Sequence, residues 1–381
     1  MADLLAAQRH ELLVRELEAA GVLRISELAA RFGVSGATIR RDLADLELAG
    51  RVTRLRGGAM AVTPARRAEG AARTGEGPAE GTAPGPEAPP APGGTPAVAH
   101  TLGLLVPSAT YYYPRVIAGV RAVAERRGAR IVIGLTGYAS PSDRRQVDEL
   151  AAAGVSGLLV ASAEGHWVSA PMLDRLRESR LPFVLLERQP RDPYEPCEFV
   201  VSDHRQGAFG AVAHLAGLGH GRVGLFTNGS PTAALVREGH AAAVERLGLD
   251  AAAPVVDSGR PTLGSDEAAE HYDAFLDGCL ATGTGAALVH SDHDAIEMMR
   301  RLRGRGLHTP EDLALIAYDD ELASLAEVPL TAVAPAKHEL GEQAAGLLLD
   351  RLDAADPPAL RRLHVQPRLI VRSSCGASLR A

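Results

Sequence analysis

Residues 63–99 carry eight prolines and seven glycines, no aromatic residue and few large aliphatic side chains. Such a segment buries too little apolar surface to offset the conformational entropy that is lost on ordering it. We therefore expect residues 63–99 to be a disordered linker. It separates a front module, residues 1–62, from a larger module, residues 100–381.

The remaining composition is that of a folded protein, because 46% of the chain is hydrophobic. No run of about 18 apolar residues is present, so we expect no membrane-spanning helix. Residues 1–18 carry charges throughout and no apolar signal segment, so we expect a cytoplasmic protein. The three cysteines, Cys197, Cys279 and Cys375, are far apart and odd in number. That spacing argues against a disulfide framework or a cysteine-based zinc site.

The front module has the pattern of a winged helix-turn-helix. Periodic leucines before Gly21, a short segment ended by Gly33 and a third segment ended by Gly50 predict three helices. Two short helices joined by a glycine-containing turn are typical of a helix-turn-helix. Alternation of apolar residues and arginines over residues 51–56 predicts a small β-wing. In this motif the third helix enters the major groove, and the wing contacts phosphates. The predicted DNA contacts are Ser35, Thr38, Arg40, Arg41, Arg54 and Arg56.

The stretch FGVSGATIRRDLADLELAGRVTRLRGGA resembles the DNA-binding domain of the DeoR family of bacterial regulators. The family pattern is an FGVS turn, a TIRRDL recognition helix and a wing that closes on Gly-Gly-Ala. All three parts are present between Phe32 and Ala59. Arg56 stands where the family usually has histidine, and it retains the ability to contact a phosphate. The resemblance implies that the front module binds operator DNA.

The larger module alternates apolar runs with amphipathic segments, which predicts an α/β fold. Strands are predicted at 101–106, 130–135, 157–161, 183–186, 199–202, 223–226, 286–290 and 313–318. Helices are predicted at 115–127, 144–153, 205–218 and 296–305, and a short one at 321–326. Apolar strands of this kind need helices on both faces, so the sheets should be parallel and doubly wound. The module is too long for one such sheet, so we expect two lobes.

Polar and aromatic residues follow several predicted strands, at the edge where ligands bind in doubly wound folds. Ser108 and three consecutive tyrosines follow the first strand, and Arg188 follows the fourth. Ser291 and Asp292 follow the seventh strand, and Asp319 follows the eighth. Aromatic faces combined with fixed carboxylates and guanidinium groups suit a polyhydroxylated ligand.

The same module resembles the effector domain of LacI-family regulators, which is similar to periplasmic sugar-binding proteins. The matching stretches include TLGLLVPSATYYYP, LPFVLLER, RGLHTPEDLALIAYDD and VPLTAVAPAKHELGEQAAGLLLDRL. The resemblance implies a two-lobed periplasmic-binding-protein-like domain, a sugar-like effector and a homodimer. It assigns Tyr112 and Tyr113 to an aromatic pair beside the ligand and Asp319 to a hydroxyl acceptor. Ser291 and Asp292 match an Asn-Asp pair of the family.

The sequence departs from the family at some of these positions. Ser291 replaces the asparagine, and Ala317-Tyr318 replaces Gly-Phe. Arg237 lies one residue after the place of a ligand-clamping arginine, so it either reaches the cleft through a local bulge or lies on the surface. The predicted effector contacts are Ser108, Tyr112, Tyr113, Arg188, Arg237, Ser291, Asp292 and Asp319. A second interpretation makes Asp319 a cap of the helix at 321–326.

These patterns favour a ligand-responsive transcription regulator, most simply a repressor of carbohydrate genes. His290 and His293 stand among acidic residues, but alternate residues of a strand-to-helix turn diverge, so we expect no metal site and no cofactor. Two alternatives stay open. A sugar-modifying enzyme with a DNA-binding front would need a catalytic motif, and none is apparent. A solute-binding protein for transport would need an export signal.

Overall fold

The computed structural model describes residues 13, 22–24, 28, 38–39, 42–43, 46, 52–55, 58–61, 100–137, 140–356 and 358–377. The chain divides into two compact units, residues 1–91 and 92–381. The predicted linker, residues 63–99, lies outside the described residues. Ser35, Arg40, Arg41 and Arg56 lie outside them as well.

The first unit contains a three-stranded antiparallel sheet. Strands β1 (Val22–Arg24), β2 (Val52–Leu55) and β3 (Gly58–Ala61) lie in the order β1-β3-β2. Val52 pairs with Ala61 and Leu55 with Gly58, so β2 and β3 form the hairpin that was predicted as a wing. Among the described residues of the predicted helices, Leu13, Leu28, Ile39, Leu43 and Leu46 are buried. Ile39, Leu43 and Leu46 lie at helical spacing in the third predicted helix, so their burial agrees with an amphipathic helix there.

The second unit begins at β4 and alternates strands with helices. Its strands are β4 (Thr101–Val106), β5 (Arg130–Leu135), β6 (Gly157–Val160), β7 (Trp167–Val168), β8 (Phe183–Leu186), β9 (Gln189–Pro190), β10 (Glu198–Ser202), β11 (Gly224–Thr227), β12 (Val255–Asp257), β13 (Ala286–Val289), β14 (Ala314–Tyr318), β15 (Thr331–Ala334), β16 (Arg362–Val365) and β17 (Arg368–Ile370). Its helices are α1 (Tyr113–Arg126), α2 (Ser140–Ala152), α3 (Ala170–Glu178), α4 (His204–Gly217), α5 (Ala233–Leu247), α6 (Asp266–Thr282), α7 (Asp292–Gly304) and α8 (Lys337–Asp353).

The first lobe is a six-stranded parallel sheet in the order β16-β10-β8-β6-β4-β5. Helices α1 and α8 pack on one face, where Leu104, Val120 and Leu348 are fully buried. Helices α2 and α3 cover the other face around Leu158 and Met172. Because helices cover both faces, the strands are apolar runs such as GLLV and FVLL rather than alternating sequences.

The second lobe is a six-stranded sheet in the order β12-β11-β13-β14-β15-β17, in which β17 alone runs antiparallel. Helices α6 and α7 pack on one face with Phe226 and Met298. Helices α4 and α5 pack on the other with Leu225 and Val236. The predicted pair of doubly wound, mostly parallel sheets is therefore confirmed.

The chain crosses between the lobes three times. It leaves the first lobe after β10, returns to it at α8, and passes from β16 to β17 to finish on the second sheet. The two returning elements, α8 and β16, complete the first lobe's core and sheet edge.

Helices α1 and α8 approach closely because each has a glycine at the crossing, Gly119 in α1 and Gly341 in α8. A Cβ on Gly341 of α8 would lie 2.2 Å from the carbonyl oxygen of Val116, which belongs to α1. That distance is far below van der Waals contact, so only glycine permits this packing. Gly346, later in the same helix, faces open space.

The prediction of a helix at 321–326 was wrong. That region contains only a short 3₁₀ helix, Ala323–Leu325, with no side-chain cap at its own start. The backbone N–H groups of Glu321 and Leu322 donate to Asp292 instead, at 2.7 and 2.6 Å. The 321–326 helix that the second interpretation of Asp319 required is therefore absent. The capping role in this loop belongs to Asp292.

Candidate effector-binding cleft

A cavity of about 320 Å³ lies between the two lobes, within the range of small-molecule sites. Most of its lining side chains follow the carboxyl ends of strands in both sheets or begin the helices that come next, and Tyr272 lies within α6. They are Tyr111, Tyr112, Tyr113, Glu187, Arg188, His204, Asn228, Ser230, Pro231, Thr232, Ser258, Arg260, Pro261, Leu263, Tyr272, His290, Ser291, His293, Asp294 and Asp319. The chain thus places ligand-type residues where doubly wound folds bind ligands.

Arg188, directly after β8, is buried with 3% of its surface exposed. Its Nε donates to the carbonyl of Ser162 at 2.7 Å, and its Nη1 donates to the carbonyl of Glu187 at 2.7 Å. Its Nη2 is 3.4 Å from the Tyr113 hydroxyl. Within the described residues, no carboxylate forms an ion pair with this guanidinium. Three of its five N–H groups are used, so two donors remain for a bound molecule.

Glu187 lines the cavity as well, but its carboxylate is already occupied. It accepts hydrogen bonds from the hydroxyl of Tyr112, from the Ser202 hydroxyl at 2.7 Å and from the Ser202 backbone at 3.0 Å. His204 Nε2 lies 3.6 Å from its Oε2. Burial by itself raises the pKa of Glu187. The nearby His204 and the hydrogen bonds from Ser202 and Tyr112 outweigh this effect and lower the pKa to about 2. Glu187 therefore fixes the cavity wall.

The aromatic part of the cavity comes from the loop after β4. The rings of Tyr112 and Tyr113 are 5.4 Å apart in an edge-to-face arrangement. Lys337 Nζ lies 4.8 Å from the centre of the Tyr112 ring. Burial, followed by the charge of Glu187, raises the pKa of Tyr112. The phenol therefore remains a proton donor to Glu187.

The second lobe contributes the start of α7. Ser291 is its N-cap, and the Ser291 backbone N–H and hydroxyl both donate to Asp294 Oδ2, at 2.7 and 3.0 Å. Asp294 also accepts from Asn228 at 2.9 Å and from the Tyr272 hydroxyl at 2.6 Å. A carboxylate in the first turn of a helix is stabilised by the helix dipole. Asp294 therefore organises this wall.

Asp319 and Tyr111 meet across the cleft. Asp319 follows β14, is 7% exposed, and adopts a φ of 90°, which aspartate tolerates better than most residues. The Tyr111 hydroxyl lies 3.3 Å from Asp319 Oδ2 and donates to Asp292 Oδ1 at 2.5 Å. Burial, and then the charges of Asp319 and Asp292, raise the pKa of Tyr111. Tyr111 is therefore a hydrogen-bond donor from the first lobe to two carboxylates of the second.

Five of the predicted effector contacts line the cavity, namely Tyr112, Tyr113, Arg188, Ser291 and Asp319. Ser108 lies outside it and bonds within its own loop to Thr110. Arg237 is on α5 with 53% of its side chain exposed, 3.9 Å from Asp257, and does not line the cavity. Asp292 is fully buried and caps the loop at 321–322 rather than lining the cavity.

Several lining residues were not among the predicted contacts. Asn228, Ser230 and Ser258 follow the strands β11 and β12, so the strand-end rule was sufficient to find the first two. Arg260, Pro261 and Leu263 come from the loop after β12, a three-residue strand with exposed ends that has no apolar signal. His204 and Tyr272 lie on helices, where only the tertiary fold shows which side chains face the cleft.

The predicted DNA contacts are described only in part. Thr38 is helical and half-buried, and only the backbone of Arg54, within β2, is described. In the described ranges, no group of three or more His, Cys, Asp or Glu side chains is arranged to hold a metal ion. No described helix has the length and apolar character needed to span a bilayer.

Comparison with known proteins agrees with both units. Residues 9–65 match the DeoR-like helix-turn-helix domain, and residues 212–375 match the periplasmic binding protein-like domain. The chain is 29% identical over 283 residues to the ribose operon repressor of Escherichia coli K12, covering 72% of this chain and 82% of that protein.

Two solved structures share the fold. The complex of the transcriptional regulator CelR with cellobiose has a TM-score of 0.63 at 24% identity and covers 90% of this chain and 91% of its own. The lac repressor dimer bound to operator and the anti-inducer ONPF has a TM-score of 0.60 at 21% identity and covers 72% of this chain and 93% of its own.

A DeoR-like front followed by two doubly wound lobes around a cleft is the domain organisation of a transcription regulator, and the similar proteins are regulators as well. The chain is a transcription regulator with a DeoR-like helix-turn-helix domain and a periplasmic-binding-protein-like effector domain of the LacI-family type.

Proposed function

We propose that the protein is a sugar-responsive transcriptional repressor, with residues 1–62 as its DNA-binding domain, 63–99 as a flexible linker and 100–381 as its effector domain. The observation that carries the proposal is that Arg188 and Asp319 line the same cleft from opposite lobes. Arg188 offers unused donors from the first lobe, and Asp319 offers an acceptor from the second. A hydroxyl group is both donor and acceptor, so a molecule with several hydroxyls satisfies both walls at once.

The tyrosines of the cleft support the same ligand class. Tyr112, Tyr113 and Tyr272 present aromatic surface next to the polar groups, and the C–H faces of a sugar ring are apolar. The names of the relatives agree with this chemistry, since one is a ribose operon repressor and another structure contains cellobiose. A sugar is therefore the ligand class that we propose.

On the DNA side, the proposal assigns Arg40 and Arg41 to the major groove, Ser35 and Thr38 to the adjoining phosphates, and Arg54 and Arg56 to the phosphates beside the wing. We further propose a homodimer, which places two front modules on two half-sites. The likeness to the lac repressor dimer supports that assembly.

The switch follows from differential binding. A ligand that contacts both lobes favours the arrangement in which both walls reach it, and it shifts DNA binding only if that arrangement differs in operator affinity. Residues of both lobes, including Arg188 and Asp319, must therefore be engaged by one molecule.

The test has two steps. First, genomic fragments bound by the purified full-length protein define its operator. Second, D-ribose and cellobiose are titrated into the protein calorimetrically and into the protein–operator complex. Binding of either sugar together with a change in operator affinity supports the proposal. Turnover of the sugar, or sugar binding that leaves operator affinity unchanged, contradicts it.

A further inference from the structure

Tyr111 differs from its two tyrosine neighbours because its hydroxyl leaves its own lobe. Tyr112 donates to Glu187, and Tyr113 accepts from Arg188, and both of these partners belong to the first lobe. Tyr111 instead donates to Asp292 at 2.5 Å, and its hydroxyl lies 3.3 Å from Asp319. Its ring also lies 4.8 Å from that of His293, another second-lobe residue.

The backbone of Tyr111 is held in an unfavourable conformation. Its φ is 56°, in the left-handed region that a bulky side chain seldom occupies. Such a conformation persists only where surrounding contacts impose it, and it is common at clamps and switches. The contacts that the Tyr111 side chain makes across the cleft are of this kind.

The acceptor Asp292 is fixed independently of any ligand. Its Oδ2 receives the backbone N–H groups of Glu321 and Leu322, and the residue is fully buried. Its Oδ1 is thereby aimed at Tyr111. Asp292 does not line the cavity, so the acceptor side of this bond lies outside the space that a bound molecule would fill.

We propose that Tyr111, Asp292 and Asp319 form a bridge that holds the two lobes together, with Tyr111 as a positioning residue for the effector site. The bond to Asp292 exists only when the lobes adopt this arrangement, so it contributes free energy to that arrangement alone. Effector affinity scales with the population of the competent arrangement, so the bridge raises affinity without forming the main contact to the effector.

The test uses Tyr111→Phe, which removes one hydroxyl group and keeps the ring. The full-length chain carries spin labels at Arg145→Cys in the first lobe and Glu267→Cys in the second, both exposed positions. The three native cysteines are buried, which protects them from labelling. Tyr194→Phe, at a tyrosine with 90% exposure, is the matched control.

In buffer without sugar, we expect Tyr111→Phe to broaden the interlobe distance distribution towards longer distances, while Tyr194→Phe matches the parent chain. We also expect Tyr111→Phe to weaken D-ribose binding about tenfold, since one hydrogen bond to a carboxylate is lost. Identical distance distributions in Tyr111→Phe and the parent overturn the proposal, even if ribose affinity falls. The measurement of ribose affinity rests on the proposed function, whereas the distance measurement tests the bridge even if no sugar binds.

Discussion

Lys337 Nζ lies 2.6 Å from Glu321 Oε1, which joins the first turn of α8 to the loop after β14. Lys337 is the only lysine in the chain and is 2% exposed. Its ammonium group also donates to the backbone carbonyl of Asp319. A buried charge is tolerated only when it is paired and hydrogen-bonded, and this one has both kinds of partner.

Lys337→Met keeps the length of the side chain and removes its charge. We expect a loss of about 2–3 kcal/mol in the free energy of unfolding, because Glu321 and the Asp319 carbonyl lose a donor at a largely buried site. Urea unfolding measures the change. The control is Arg303→Met, whose ion pair with Glu327 is exposed on both sides and is worth under about 1 kcal/mol. Equal losses of unfolding free energy in the two variants would contradict the buried pairing of Lys337.

Two glycines of α8 give a matched pair of substitutions. Gly341→Ala places a methyl group against the backbone of α1 and should lower the free energy of unfolding by about 1–3 kcal/mol. Gly346→Ala meets no atom within 4 Å and should stabilise the protein by about 0.4–1 kcal/mol, because alanine is the better helix former. Thermal or urea unfolding of both variants tests the crossing. A stabilising Gly341→Ala would show that the helices are not in this contact.

The buried Glu187 predicts a particular acid dependence. Its pKa is lowered to about 2 from an ordinary value of 4.5, so its contribution to stability is complete above about pH 4.5. That contribution is lost as the pH falls from about 4.5 through about 2, and it amounts to about 3 kcal/mol at most. Glu187→Gln should therefore be less stable than the parent at pH 7, with the difference shrinking at pH 3.

Urea unfolding at the two pH values measures this difference. Glu238→Gln changes an exposed partner of Arg205 and should show little difference at either pH. If the free energy of unfolding of Glu187→Gln differs from that of the parent by the same amount at pH 7 and pH 3, the lowered pKa of Glu187 is ruled out.

Asp319→Asn tests the acceptor of the proposed effector site. Asparagine tolerates the positive φ at this position, so folding should be preserved. One acceptor is exchanged for a donor, and we expect sugar affinity to fall about 10- to 150-fold while operator binding is retained. Calorimetry with whichever of D-ribose or cellobiose binds the parent protein decides the outcome. Undiminished affinity would remove Asp319 from the site.

The DNA contacts of the front module are predicted from its sequence. Arg41→Ala should weaken operator binding by about 1–3 kcal/mol and relax base preference at one position, as expected for a base-edge contact. Arg54→Ala should weaken binding evenly across sequences and lower the salt slope by about one unit. Binding assays at several salt concentrations separate the two. Unchanged affinity in both variants would contradict the recognition-helix and wing assignment.

The sequence predicted most buried strands of both sheets because fully covered parallel strands are continuous apolar runs, such as ALIAY in β14. The buried strand β15 was not predicted. The sequence also did not predict β12 or β16, which are short and partly exposed and so lack that signal. The position of β12 depends on its pairing with β11, and that of β16 on its pairing with β10. The local sequence of the two short strands does not indicate these partners.

The same distinction applies to the cleft. Arg188 and Asp319 were found because strand ends converge at one edge of a parallel sheet. Arg237 was misleading because its direction depends on the rotation of α5, which sequence spacing does not fix to within one residue. Asp292 was assigned to the ligand because its backbone position is right. Its side chain turns to the loop at 321–322, a tertiary contact that no local pattern reveals.

The three crossings between lobes also dictate the order in which the protein is able to assemble. During synthesis, the strands β4 to β10 emerge first, but their core lacks α8 and their sheet lacks β16 until the whole second lobe has been made. The first lobe therefore stays incomplete and partly exposed until segments beyond residue 336 have been made. It is unable to finish folding as a separate domain before the second lobe is synthesised. For the same reason, a cut between β10 and α4 would separate the first lobe from α8 and β16, which would remain on the fragment that carries the second lobe.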